Sequence, residues 1–307
     1  MQATLYHRYG GPEVLETAEI PKPQPKANEL LVRVHAASVS VGSVIMRSGQ
    51  HPDSAFFSFM IKLIGGWPRP RKKVLGYEFS GVVEAVGGQV KGYRAGDEVY
   101  GTTTGLSQGA YADYVCVPEN WKMGVVAHKP EKLSFEEAAA LPVGAMTALH
   151  LLKKAGLAAS QKVLIYGAGG SVGSAAVQLA KAAGAEVTAV CSTAKVELAK
   201  AWGASSVIDY TQTPLAQYPA HFDLIFDAVG KLPAKQLKKL LVRGGQFTSI
   251  RSLTSEKPEY LQQLKMLVAA GQFRPHLDKV FSHSQMREAH AYVDSGKKAG
   301  NVVVRMI

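Results

Sequence analysis

The stretch Val163-Leu-Ile-Tyr-Gly-Ala-Gly-Gly-Ser-Val-Gly173 carries the clearest chemistry in this chain. Four apolar residues run straight into a glycine-rich turn. An amphipathic pattern follows at once, with Val172, Ala175, Ala176, Leu179 and Ala183 at i, i+3, i+4, i+7 and i+11. Strand, turn and helix in that order open a dinucleotide-binding βαβ unit. Glycines let the backbone turn tightly and approach a pyrophosphate. The helix N-terminus then offers N–H groups and a partial positive charge to the phosphates. The regular spacing is Gly167, Gly170 and Gly173, a GxxGxxG rather than a strict GxGxxG. Taken alone the signal is weak, because many such turns hold no ligand.

The next segment sharpens the reading. Glu186–Cys191 reads as the second strand. An NAD enzyme commonly places Asp or Glu at its end, about 20 residues past the glycines, to bind the ribose hydroxyls. Here the strand ends in Cys191, Ser192 and Thr193, with Lys195 just beyond. A carboxylate would repel a 2′-phosphate, whereas hydroxyls and an ammonium bind one through donors and charge. The expected cofactor is therefore NADPH rather than NADH, and no carboxylate is expected beside the adenosine ribose. Ser192 also has a plainer reading as the cap of a helix beginning near Thr193, and the two are compatible.

These residues need a scaffold, and the period of the sequence supplies one. Residues 1–120 read as mostly β, with short apolar runs at 29–37, 79–86, 98–100 and 111–117 between Gly and Pro turns. From about residue 134 the period changes: Ser134-Phe-Glu-Glu137 is a capping-box signature opening an Ala-rich helix. Strands and helices then alternate through residue 271, which means a parallel sheet with helices on both faces. The tail, 301–306, is a strand with no helix after it, expected to return to the first domain. The expected domains are 1–124 completed by 272–307, and 125–271.

Composition sets bounds. The 307 residues suffice for two ordinary domains, and 47% hydrophobic with 19% charged content is that of a globular protein. No apolar run approaches the roughly 20 residues of a membrane span, and the N-terminus has no signal-peptide pattern. Two cysteines, Cys116 and Cys191, fit a reducing, cytoplasmic compartment and are too few for a four-cysteine zinc site. The net charge of +11 could attract nucleic acid or an acidic membrane surface. Only Arg69-Pro-Arg71-Lys72-Lys73 is a true cluster, so a scattered, solvated surface is the favoured reading and both of those partners are disfavoured.

Several further segments carry a family likeness: Tyr9-Gly-Gly-Pro-Glu-Val14, Arg47-Ser-Gly49, Gly76-Tyr-Glu-Phe-Ser-Gly81, Gly96-Asp-Glu-Val-Tyr-Gly101, Gly109-Ala-Tyr-Ala-Asp-Tyr114, Val207-Ile-Asp-Tyr210 and Gly300-Asn-Val-Val303. With the glycine turn, in this order, the chain resembles the medium-chain dehydrogenase/reductase superfamily, in its zinc-free quinone-oxidoreductase-like branch, over essentially its whole length. The resemblance implies an α/β fold: a GroES-like β domain, a Rossmann doubly wound parallel-sheet domain, a cleft between them, and hydride transfer from NADPH. It implies cofactor contacts at Thr147, Ala168, Gly169, Gly170, Ser171, Val172 and Gly173. It implies 2′-phosphate contacts at Ser192, Lys195 and Tyr210, and further contacts at Val229, Ile250, Arg251 and Asn301. Zinc-dependent relatives carry a Cys near position 40 and a His where this chain has Tyr77, so no metal is expected. Without a metal a saturated alcohol has no Lewis acid for its alkoxide, whereas a quinone or polarised C=C gives a delocalised anion that needs less help. Many zinc-free relatives carry Asn and Asp where this chain has Ser40 and Ser43, and this departure touches the substrate site.

Ser40, Ser43, Tyr77 and Phe56 are the substrate-pocket candidates, and no catalytic residue is singled out. Tyr77 can donate to a substrate oxygen or simply pack at a strand edge. His35, His150 and His290 fit no acid–base constellation and read as structural. Asp227 ends a central strand at the ligand-binding edge, or only caps the next helix. Residues 55–67 are unusually apolar. They read first as a flap or wall over an apolar substrate, then as a helix buried against its own domain or a homodimer partner, and last as a membrane-touching patch. The leading function is an NADPH-dependent reductase of small apolar quinones or α,β-unsaturated carbonyls. The alternative is a catalytically degraded NADPH-binding protein that binds RNA or another protein.

Overall fold

The computed structural model describes residues 1–52, 54–103, 108–120, 124–219 and 221–307. The chain divides into two compact units, Met1–Pro142 with Leu277–Ile307, and Val143–His276.

The first unit begins with an antiparallel hairpin, β1 (Gln2–Tyr6) and β2 (Leu15–Glu19). There follow β3 (Glu29–Ser38), α1 (Val41–Ser48), α2 (Ala55–Gly65), β4 (Glu78–Val86), β5 (Glu98–Thr102), β6 (Tyr114–Pro118), β7 (Val126–His128) and α3 (Phe135–Ala139). β3 is the spine: it pairs antiparallel with β4 and with β6. Its Leu30, Val32 and Val34 alternate into a core shared with Phe79, Val99, Tyr111 and Val117. The capping box at α3 is complete, with Ser134 Oγ accepting from the Glu137 amide (3.2 Å) and the Glu137 carboxylate accepting from the Ser134 amide (3.0 Å).

The second unit contains α4 (Pro142–Lys154), β8 (Lys162–Tyr166), α5 (Ser171–Ala182), β9 (Glu186–Cys191), α6 (Val196–Ala201), β10 (Ser206–Asp209), β11 (Phe222–Asp227), α7 (Ala234–Lys238), β12 (Leu241–Ser249) and α8 (Pro258–Ala269). The five strands are parallel, in the order β10-β9-β8-β11-β12. Chain order therefore reverses at β8, the switch point of a doubly wound sheet. Val163, Leu164 and Ile165 of β8 are all inaccessible to solvent. Neighbouring strand residues face opposite ways, so both faces of the sheet are covered.

The chain then returns to the first unit with β13 (Leu277–Ser282), α9 (Met286–Asp294) and β14 (Asn301–Arg305). β14 pairs antiparallel with β3, which gives the sheet order β13-β14-β3-β4-β5-β7 with β6 also on β3. The C-terminal tail thus joins the first unit as a strand, as its sequence suggested. Two boundaries move. The first unit runs past residue 124 to Pro142, because β7 pairs with β5 and Ser80 Oγ donates to the Phe135 carbonyl at 2.5 Å. The return begins at Leu277 rather than 272. Cys116 and Cys191 are free thiols. Among the described residues no helix is long and apolar enough to cross a membrane.

Candidate functional site

The glycine turn sits where β8 ends. Gly167 has φ +82°, in the left-handed region, and a Cβ there would meet Val229 Cγ2 at 1.9 Å. A Cβ on Gly173 would meet the Gly167 carbonyl oxygen at 2.2 Å, so only glycine lets α5 start this close to the turn. Around Gly170 the nearest such atom is 4.0 Å away, which leaves the turn's outer face open. Gly170 is also the N-cap of α5, and no side chain caps this helix. Ala168, Gly169, Gly170, Ser171, Val172 and Gly173 thus form an open cradle at a helix N-terminus, suited to a phosphate. Gly144 of α4 lies against Ser171, where an added Cβ would stand 3.3 Å from Ser171 Cβ. Thr147, half-buried, follows one turn later on that same face.

Lys195 reaches this cradle directly. A Cβ on Gly169 would meet Lys195 Cδ at 2.3 Å, so the lysine stem lies across the turn. Ser192 stands at the N-cap position of a 3-10 turn, Thr193–Lys195, but its side chain makes no capping bond; α6 begins only at Val196. The capping role open to Ser192 is therefore not the one it plays. Tyr210 lies just past β10, its amide donating to the Cys191 carbonyl at 3.1 Å and its side chain exposed.

One expectation is corrected here. A carboxylate does stand at this strand end: Asp209 on β10 is in register with Cys191 on β9. Its Oδ2 accepts from Thr193 Oγ1 at 2.5 Å, and its Oδ1 accepts from the Thr211 hydroxyl (2.6 Å) and amide (2.9 Å). The hydrogen bonds from Thr193 and Thr211 hold the Asp209 carboxyl below its ordinary range. The composition of β9 does not reveal this acid, because it arrives from the neighbouring strand. The signal was present in Val207-Ile-Asp-Tyr210.

On the other side of β8, register aligns Tyr166, Asp227 and Ser249 across three strand ends. Asp227 is 2% exposed and caps no helix. Its carboxylate accepts from the amides of Val229 (3.0 Å) and Gly230 (2.8 Å) and from Ser249 Oγ (3.1 Å). This clamps the loop after β11 to the end of β12. Val229 fills the space over Gly167, Ile250 donates its amide to the Asp227 carbonyl at 3.0 Å, and Arg251 Nη2 donates to the Gly230 carbonyl. Ser249 is a residue that sequence reasoning did not find. Asn301 belongs to the other unit, where it opens β14 opposite Leu277 and is buried.

The substrate-pocket candidates all lie in the first unit. Ser40 is the N-cap of α1, its Oγ accepting from the Ser43 amide at 3.2 Å. Ser43 is wholly inaccessible, its Oγ 3.3 Å from Ser40 Oγ, which removes it from any surface a substrate could touch. The Tyr77 ring packs beside Gly42, where an added Cβ would stand 3.7 Å from Tyr77 Cε2. Burial raises the Tyr77 phenol pKa, so it stays protonated and able to donate. Phe56 is 66% exposed, and none of α2's residues is buried, so the reading of 55–67 as a core helix is corrected. The three histidines have packing partners: His35 stacks on Phe135 (4.1 Å), His150 Nδ1 lies 3.1 Å from Tyr260 Oη, and His290 lies in the core beside Arg47. Among the described residues no group of three or more His, Cys, Asp or Glu side chains is disposed to hold a metal ion.

Comparison with known proteins agrees with this architecture. The family model for an alcohol dehydrogenase GroES-like domain matches residues 26–130, and that for a zinc-binding dehydrogenase matches 171–299. The chain is 33% identical to a 2-methylene-furan-3-one reductase of Solanum lycopersicum, covering 100% of this chain and 79% of that protein. It is 30% identical to an NADPH-dependent alkenal/one oxidoreductase, chloroplastic, of Arabidopsis thaliana, covering 99% and 79%. Among solved structures, the quinone oxidoreductase from Coxiella burnetii superposes with a TM-score of 0.83 at 27% identity, covering 100% and 99%.

Proposed function

The chain belongs to the medium-chain dehydrogenase/reductase superfamily, in its quinone-oxidoreductase-like branch, and from there we propose that it is an NADPH-dependent, zinc-independent oxidoreductase that reduces quinones or α,β-unsaturated carbonyls. The observation that carries this reading is the open glycine cradle with the Lys195 stem lying across it. NADPH, when bound, supplies the hydride. The amides at the start of α5 and the turn Ala168–Gly173 hold the pyrophosphate. Ser192, Lys195 and Tyr210 take the 2′-phosphate, and Asp209 fixes the Thr193 hydroxyl beside them. Thr147, Val229, Ile250 and Arg251 orient the nicotinamide end, with the loop at 228–230 held rigid by Asp227. Tyr77, protonated, donates a hydrogen bond to the substrate oxygen.

The zinc named in the matched family description does not fit this donor set. Ser40 Oγ is engaged at its helix cap and the Tyr77 phenol holds its proton, so neither is a ligand for a borderline-soft cation. The substrate must therefore be one whose reduced anion is delocalised. The test is NADPH oxidation against a panel of quinones and enones, with metal analysis and a chelator arm. We expect turnover with part of the panel, no stoichiometric zinc, and no effect of chelation. Chelator inhibition reversed by zinc overturns the metal-free reading. NADPH binding without turnover of any member favours the degraded, non-enzymatic alternative.

A further inference from the structure

Helix α2 is inside out. Phe56, Phe59, Met60, Leu63 and Ile64 recur at i, i+3, i+4, i+7 and i+8, the pattern of a core-facing stripe. Yet Phe56, Phe59, Leu63 and Ile64 are 66%, 58%, 51% and 48% exposed. The opposite face, Ser58, Lys62 and Gly65, is the one turned to its own unit. Ser58 Oγ accepts from the His51 amide at 2.8 Å and donates to the Ser54 carbonyl at 2.9 Å. Lys62 Nζ lies over the Tyr9 ring at 5.9 Å, and a Cβ on Gly65 would sit 3.1 Å from Tyr9 Oη. The helix is thus anchored by small and polar residues and presents its aromatic face outward. Trp67, just beyond it, is 68% exposed. An apolar surface of this size on a folded chain marks a binding face.

Charge selects the occupant. Immediately after Trp67 come Arg69, Arg71, Lys72 and Lys73, all exposed and none in an ion pair with a described carboxylate. From Ser54 to Tyr77 the sequence holds no acidic residue. A second copy docking symmetrically here would bring the two basic clusters together, a like-charge juxtaposition that opposes the contact. An aromatic helix face edged by Arg and Lys is instead complementary to an anionic lipid surface: the rings enter the headgroup–acyl boundary and the cations meet lipid phosphates. We propose that α2 and the basic segment 69–73 dock this protein on anionic membrane surfaces, with the helix lying in the interface plane.

The test is flotation of the full chain with phosphatidylcholine vesicles, with and without phosphatidylserine, alongside Trp67 fluorescence. We expect binding only to the phosphatidylserine vesicles, weakening as salt is raised, with a blue shift that Trp67→Phe removes. Combined Arg71→Gln, Lys72→Gln and Lys73→Gln should weaken binding about fivefold per charge, and Phe59→Ser with Leu63→Ser should abolish it. These side chains are exposed, so the variants should keep the wild-type circular dichroism. If the serine variant does not, the glutamine variant still decides. No flotation, or flotation indifferent to lipid charge, overturns the proposal. Concentration-dependent dimerisation lost in the serine variant, without vesicle binding, assigns the face to a second copy. A raised KM for large apolar substrates in that variant, again without vesicle binding, assigns it to the substrate.

Discussion

In the proposed function Lys195 contacts the 2′-phosphate of the coenzyme. The lysine stem covers Gly169. The sequence foresaw the charge but not its opponent, because Asp209 comes from an adjacent strand and pairing is invisible in one strand's composition. Held ionised by Thr193 and Thr211, Asp209 offsets part of the attraction for a 2′-phosphate. Lys195→Ala should therefore weaken NADPH binding toward the lower end of the range for a charge-assisted hydrogen bond, about 1.5 kcal/mol. NADH binding should be nearly unchanged. Isothermal titration with both coenzymes checks this, and equal losses would remove Lys195 from the 2′-phosphate site. Ser40 teaches the converse. A serine three residues before another serine reads equally as a pocket pair or as a cap, and only the backbone at 40, extended before α1, decides for the cap.

Elements were legible where local chemistry dictates them. Strand, turn and helix at 163–182, the capping box at 134 and the parallel sheet all follow from period and turn residues. The direction of an amphipathic face does not, since the i, i+3, i+4, i+7 pattern at 56–64 is the same whether the stripe looks in or out. The Ala-rich helix opened by the capping box is short, Phe135–Ala139, and a second helix starts at Pro142. Nor could spacing reveal that Asp227 joins two strand ends rather than capping a helix. That clamp is testable. Asp227→Ala leaves the Val229 and Gly230 amides and Ser249 Oγ without their acceptor in a buried place, a cost of about 3 kcal/mol. Asn retains one acceptor oxygen and should cost less. Hydrogen exchange should show the 228–230 amides at least about tenfold faster in the Ala variant than in wild type. Unchanged exchange would mean that the loop is held by other contacts.

At the scale of the whole molecule, the first unit is closed by residues from opposite ends of the chain. Arg47 on α1, 2% exposed, donates through Nη2 to Asp294 Oδ2 at 2.7 Å and through Nε to the Gly10 carbonyl at 3.2 Å; its Nη1 lies 3.1 Å from His290 Nδ1 on α9. With a guanidinium donating, Nδ1 accepts, so His290 is neutral. Its other nitrogen has no hydrogen-bond partner among the described residues, and its ring meets Tyr111 edge-on at 5.6 Å. Burial, and secondarily Arg47, lowers the His290 pKa to about 3. An unfolded histidine titrates near 6.5. Below that pH the unfolded chain binds a proton that the folded chain refuses until about pH 3. The stabilisation is therefore complete above pH 6.5 and is lost as pH falls, at a slope approaching about 1.4 kcal/mol per unit. His283, also lowered by burial, adds in the same direction. Between pH 6.5 and 5 the wild type should lose about 2 kcal/mol through His290 alone. His290→Gln keeps an acceptor for Arg47 but cannot titrate. It should be less stable at pH 7.5 and lose correspondingly less on acidification, in urea unfolding followed at both pH values. Parallel pH slopes for variant and wild type would mean that His290 accepts its proton in the folded chain, and that the C-terminal closure of this unit does not depend on its neutrality.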